Sequence, residues 1–218
     1  MKMLLVVNCS GRITRSITRR LTDRFVAGWQ RQNPAGNVVQ RDIGQNPPPP
    51  VNESWIAAAF ADPAKHTSVM QDALRLSETF VEEIVAADSI VIGTPIYNFG
   101  MPAQLKAYFD QVIRVGRTFA LTADSSDPYR PLLASKPVTV LTAAGDGSMH
   151  PGGALAHLNF LEPHLKTVLG FIGLTDVTFV RVGYDEFQDD RWQKSLAAAE
   201  ASIDEIAAGQ LVASSSEF

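Results

Sequence analysis

Asp88 to Pro95 reads DSIVIGTP, and Ile96-Tyr97-Asn98-Phe99-Gly100-Met101-Pro102 follows directly. The first part is a short apolar run ending in Gly-Thr-Pro, the mark of a strand buried on both faces of a parallel sheet. Two further runs share that character, Lys2 to Asn8 (KMLLVVN) and Lys136 to Ala144 (KPVTVLTAA). Asn37 to Ile43 and Thr175 to Val182 complete five strands. Helical patterns lie between them. Ser16 to Arg31 repeats apolar residues at Ile17, Leu21, Phe25 and Trp29, the spacing of one buried helix face. Ser68 to Ala87, Pro102 to Val115 and Asp189 to Ala208 also read as helices. Leu155 to Ile172 reads as mainly helical, with Pro163 kinking or splitting it. Pro47 to Pro50 is extended coil, an inserted connection, and Gly116 to Ser135 is a turn-rich excursion from the sheet.

Five strands alternating with four or five helices predict a three-layer α/β sandwich with a doubly wound parallel sheet of order 2-1-3-4-5. Residues 1–208 are expected to form one domain, with 209–218 a flexible tail. In that order a ligand crevice opens at the carboxyl ends of strands 1 and 3.

Composition narrows the function classes. The chain has 218 residues, 45% of them hydrophobic, enough for a core without metal or disulfide staples. A net charge of -4 supplies no footprint for a polyanion, so no nucleic-acid role is expected. Cys9 stands alone, which suits a reducing compartment. The run Met3 to Val7 is too short for a membrane span and lacks a signal-peptide pattern. A cytoplasmic protein without a membrane partner is expected.

Three loops carry chemistry. Cys9 to Thr18 joins a buried strand to a helix and holds Ser10, Arg12, Thr14, Arg15, Ser16 and Thr18. Hydroxyls, cations and the free N–H groups of a helix start are what a phosphate requires. Neither a Walker lysine motif nor a G-x-G-x-x-G fingerprint is present. In the second loop, Tyr97 and Phe99 between two prolines suit a planar ligand, with Asn98 for its polar edge. The third, Ala143-Ala144-Gly145-Asp146-Gly147-Ser148-Met149-His150, is small enough for close approach to a ligand. Competing chemistry finds little support. No G-x-S-x-G elbow occurs, and His157 and His164 flank Glu162 and Pro163 without an HExxH pattern, so no metal site is expected. Cys9 reads as a small buried residue rather than a reactive thiol. The arginines of the first helix read as a solvated face.

Taken together, Ser10-x-Arg12-x-x-x-Ser16-x-Thr18, Pro95-Ile96-Tyr97-Asn98-Phe99 and Leu105-Lys106-x-Tyr108-Phe109-Asp110 resemble the FMN-dependent NADH:quinone reductase and azoreductase family. Gly116-x-Thr118-Phe119 and Leu169-Gly170-Phe171-Ile172-Gly173-Leu174 agree, so the likeness spans nearly the whole chain. The resemblance implies a flavodoxin-like homodimer with one FMN per subunit and NADH or NADPH as co-substrate. Quinones or azo compounds would be acceptors in ping-pong hydride transfer. By that likeness Ser10, Ser16 and Thr18 hold the phosphate with the N–H of Ile17, and Arg12 lies in the same motif. Pro95, Ile96, Tyr97, Asn98 and Phe99 would line the isoalloxazine, and Ala143, Ala144, Gly145 and Asp146 would cover its other side. His150, in the loop expected over the flavin, is the candidate proton donor.

Relatives commonly carry Ser-Arg-Gly-Gly where this sequence has Ala143-Ala144-Gly145-Asp146, and an aromatic where it has Leu121. A hydroxyl and a cation are lost and an acid is gained. Two alternatives stay open, a flavoenzyme specialised for one metabolite and a flavodoxin-type electron carrier.

Overall fold

Alternate side chains of the first strand, β1 (Met3–Asn8), enter two different cores. Leu5 and Val7 pack on one face of the sheet, Leu4 and Val6 on the other, and all four are buried. That is why the sequence reads as an unbroken apolar run: period-two alternation is masked when both faces are covered. The computed structural model describes residues 1–209. The expected flexible tail lies, from residue 210 onward, outside the described residues.

In chain order, α1 (Ile17–Gln32), β2 (Asn37–Asp42), α2 (Glu53–Phe60), α3 (Ser68–Ala86), β3 (Ser89–Pro95) and α4 (Ala103–Val112) follow β1. A small antiparallel hairpin comes next, β4 (Phe119–Leu121) with β5 (Tyr129–Pro131), then β6 (Val138–Ala143), α5 (Leu161–Phe171), β7 (Val177–Val182) and α6 (Asp190–Ala207). The main sheet is parallel throughout, in the order β2-β1-β3-β6-β7. Counting its five strands alone gives 2-1-3-4-5, the flavodoxin-like arrangement predicted from the sequence. On one face Phe80, Leu105, Phe109, Leu165 and Leu169 bring α3, α4 and α5 against β1, β3 and β6. On the other, Leu21, Phe25, Trp29, Leu196 and Ile203 seat α1 and α6.

Some elements differ from expectation. The eight-residue α2 forms between the Pro47 to Pro50 connection and the helix expected from Ser68, a stretch to which no element was assigned. Asn52 caps it by accepting from the Trp55 N–H at 3.0 Å, and Trp55, Ala58 and Ala59 pack on Leu74 of α3. The excursion at 116–135 contains the β4–β5 hairpin, seated by Phe119, Tyr129 and Phe171 with ring centroids 4.9 to 6.1 Å apart. Pro163 neither kinks nor splits a long helix. A 3-10 turn at Ala156–Leu158 precedes α5, and Pro163 falls in that helix's first turn, where a missing N–H forfeits no bond. The basic face of α1 is partly paired: Arg20 meets Glu200 and Arg24 meets Asp204 of α6, each at 2.6 Å.

Candidate active site

Strands β1, β3, β6 and β7 end at the same edge of the sheet, and the loops that leave them enclose a cavity of about 780 Å3. Ser10, Arg12, Thr14, Arg15, Ser16, Ile17 and Thr18 form one wall. Pro95, Ile96 and Tyr97 form the floor with Ala143, Ala144 and Gly145, and Asp185, Glu186, Gln188 and Trp192 stand opposite.

The first wall is built around the start of α1. Ser16 caps the helix, its Oγ accepting from the Arg19 N–H at 3.3 Å and lying 3.2 Å from Thr18 Oγ1. A helix start leaves its first N–H groups without intrahelical partners. Those of Ile17 and Thr18 have no acceptor among the described residues. Ser10 Oγ folds back to accept from the Arg12 N–H at 3.2 Å. Unpaired N–H groups, hydroxyls and the positive end of the helix dipole converge, with Arg12 and Arg15 at the rim, so this wall suits a phosphate.

The floor is made of strand ends. Ile96 N–H donates to the Ala143 carbonyl at 2.9 Å, tying the second loop to the third. Tyr97 and Gly100 then exchange two backbone hydrogen bonds, closing a tight turn with Asn98 and Phe99 at its centre, both at positive φ (45° and 71°). Asparagine tolerates that region, whereas phenylalanine there stores strain, a feature that clusters at binding sites. The turn carries Asn98 and Phe99 past the cavity wall, and Phe99 is half exposed.

The third loop folds back on itself. Asp146 accepts from the Ser148 N–H at 2.9 Å and starts a 3-10 turn, and that backbone bond holds its carboxyl below the usual range. Asp146 therefore serves its own loop and does not line the cavity. His150 also lies outside the wall. Its Nε2 is buried without a partner, and burial pushes the imidazole pKa down, against the opposing pull of Glu162. Glu162 is itself buried and makes two hydrogen bonds to Arg181, at 2.8 and 2.6 Å.

The structure thus brings Ser10, Arg12, Ser16, Ile17, Thr18, Pro95, Ile96, Tyr97, Ala143, Ala144 and Gly145 into one cavity and leaves Asn98, Phe99, Asp146 and His150 outside its wall. Cys9 is buried, and desolvation pushes its thiol up, away from reactivity. Among the described residues no group of three or more His, Cys, Asp or Glu is placed to hold a metal ion, and no helix is long and apolar enough to cross a membrane.

The wall after β7 was not read from the sequence. Glu186 N–H donates to the Gly145 carbonyl at 3.2 Å, which lays Asp185 and Glu186 beside the third loop. Trp192 presents a buried Nε1–H with no partner. The signal available was position, since a loop leaving the carboxyl end of a parallel strand belongs to the crevice edge.

A family model for the flavodoxin-like fold matches residues 2–206. An FMN-dependent NADH:quinone oxidoreductase of Opitutus terrae is 59% identical over 206 residues, covering 94% of this chain and 97% of that protein. This chain belongs to the flavodoxin-like family of FMN-dependent NADH:quinone oxidoreductases. Within the family, FMN-dependent NADH:quinone oxidoreductase 2 of Trichormus variabilis is 43% identical over 204 residues, covering 93% of this chain and 97% of its own. The crystal structure of an azoreductase from Bacillus anthracis str. Sterne has the same fold, with a TM-score of 0.85 at 23% identity over 96% of this chain and 100% of its own.

Proposed function

We infer that this protein is an FMN-dependent oxidoreductase that uses NADH or NADPH to reduce quinones and aromatic azo compounds. The observation that carries the reading is the meeting of a hydroxyl-lined helix start with the ends of β3 and β6 in one cavity. The donor set fits FMN. Ser10, Ser16, Thr18 and the N–H of Ile17 would hold its phosphate, with Arg12 balancing the charge. Pro95, Ile96, Tyr97, Ala143, Ala144 and Gly145 would border the ring system. Asn98, Phe99 and Asp146 enter this reading only at the rim, and His150, half-buried with its Nε2 covered, has no part in proton delivery.

When bound, FMN supplies hydride acceptance and donation, which gives ping-pong exchange between a nicotinamide and an acceptor at one place. The chain's own residues bind, orient and exclude water. Residues 1–208 act as one domain in this reading, and a cytoplasmic homodimer is the working unit. Phe99 and Phe160, both exposed and joined by a 2.9 Å bond from Phe160 N–H to the Phe99 carbonyl, are the apolar surface a second subunit would cover.

Steady-state quinone reduction by the FMN-loaded protein tests the reading. Parallel double-reciprocal lines with NADH or NADPH are expected. Intersecting lines would remove the ping-pong scheme, and no FMN-dependent turnover would remove the function. The acidic wall of Asp185 and Glu186 supports a second reading, a flavoenzyme specialised for one cationic or hydroxyl-rich acceptor. It predicts poor turnover of simple benzoquinones in the same assay.

A further inference from the structure

Arg19 does not line the cavity, yet two hydrogen bonds from its guanidinium hold the loop that does, and two more anchor it to Asp42. Nε donates to the Arg12 carbonyl at 2.8 Å and Nη2 to the Ser10 carbonyl at 2.7 Å. Nη1 and Nη2 also grip both carboxylate oxygens of Asp42, at 2.5 and 2.8 Å. Asp42 ends β2, which places it beside the end of β1 in register with Asn8. Gly44 closes the arrangement, because a Cβ there would overlap the Ser10 carbonyl and sit 2.9 Å from Arg19 Nη2.

We propose that the Arg19–Asp42 pair positions the phosphate loop by drawing the Ser10 and Arg12 carbonyl oxygens away from the anion. In a trans peptide the C=O and the following N–H point in opposite directions. Holding those two oxygens against Arg19 therefore turns the N–H groups of Gly11 and Ile13 away from it and fixes Ser10 and Arg12 in the cavity wall. Asp42 neutralises the guanidinium, so Arg19 contributes geometry rather than charge. A planar fork is required, because one ammonium cannot span two carbonyls and a carboxylate at these positions.

The proposal rests on the FMN reading, and comparing FMN with riboflavin, which lacks the phosphate, separates the two. Fluorescence titration should show that the wild-type protein binds FMN more tightly than riboflavin. Arg19→Lys should weaken FMN by about tenfold while riboflavin stays within about twofold, with loss of roughly one charge-assisted hydrogen bond. Asp42→Asn, which frees the guanidinium but keeps it, should shift FMN affinity in the same direction and stands in if Arg19→Lys does not fold. Arg24→Lys, on the same helix but paired with Asp204, should change neither affinity. Equal losses for both ligands, or an unchanged preference for FMN in both loop variants, would overturn the positioning role and leave the FMN reading intact. A wild-type protein that binds neither flavin would overturn both.

Discussion

Ser16 has two duties, and they can be separated. Its hydroxyl caps α1 and also faces the cavity beside Thr18. Ser16→Ala with Thr18→Ala should weaken FMN binding by about 2 kcal/mol, at about 1 kcal/mol per lost hydrogen bond, as read by flavin fluorescence titration. The same pair should lose about 1 kcal/mol of folding stability with the cap, whereas Ser16→Gly should lose only about a few tenths. His150 makes a second residue-scale prediction. Burial depresses its folded pKa below the ordinary 6.5, so the unfolded chain takes up that proton first as pH falls. Its contribution is complete above that value and is lost below it. Urea midpoints measured on either side of 6.5 should fall less on acidification for His150→Gln than for the wild type. Spacing made the hydroxyls legible, because a strand followed by a polar loop and a periodic helix locates the cap. Arg19 was not legible: its partner Asp42 lies 23 residues away, and a helical wheel alone assigns such an arginine to solvent.

At the scale of elements, α5 and β7 are joined by Glu162 and Arg181. Glu162 is only 4% exposed, and Asn159 Nδ2 also donates to it, at 3.1 Å. Arg181→Ala would strand a buried carboxylate and should cost about 3 kcal/mol, visible as a lower denaturant midpoint at unchanged m-value. The third loop lies over this pair through His150, so the variant should also loosen the cavity floor at Ala143 to Gly145. Strands β1, β3 and β6 were legible as short apolar runs between breakers, whereas β2 and β7 carry polar residues and were read from their place in the strand–helix alternation. The helix α2 was not, since eight residues after four prolines give too few turns for periodicity to show. The β4–β5 hairpin escaped for a related reason, because three-residue strands carry no pattern and hold through the Phe119–Tyr129–Phe171 contact.

For the whole molecule, strand order was legible because right-handed crossovers leave few ways to wind five alternating units. The cavity follows from it, at the edge where β1, β3, β6 and β7 all end. Its far wall was not, because nothing local in Gly183 to Trp192 distinguishes a site loop from a connection. Phe99 and Phe160 lie exposed and joined to each other through the backbone, and a homodimer should appear in sedimentation as twice the chain mass. Replacing both with serine should shift that equilibrium toward monomer. The central claim is the cofactor and its reduction. The protein should be mixed with FMN, cleared of excess, and titrated anaerobically with NADH while the absorbance spectrum is followed. A retained flavin spectrum that bleaches within about seconds, in line with the turnover of ordinary enzymes, is the predicted result. A protein that retains no flavin, or a bound flavin that NADH leaves oxidised, would contradict it.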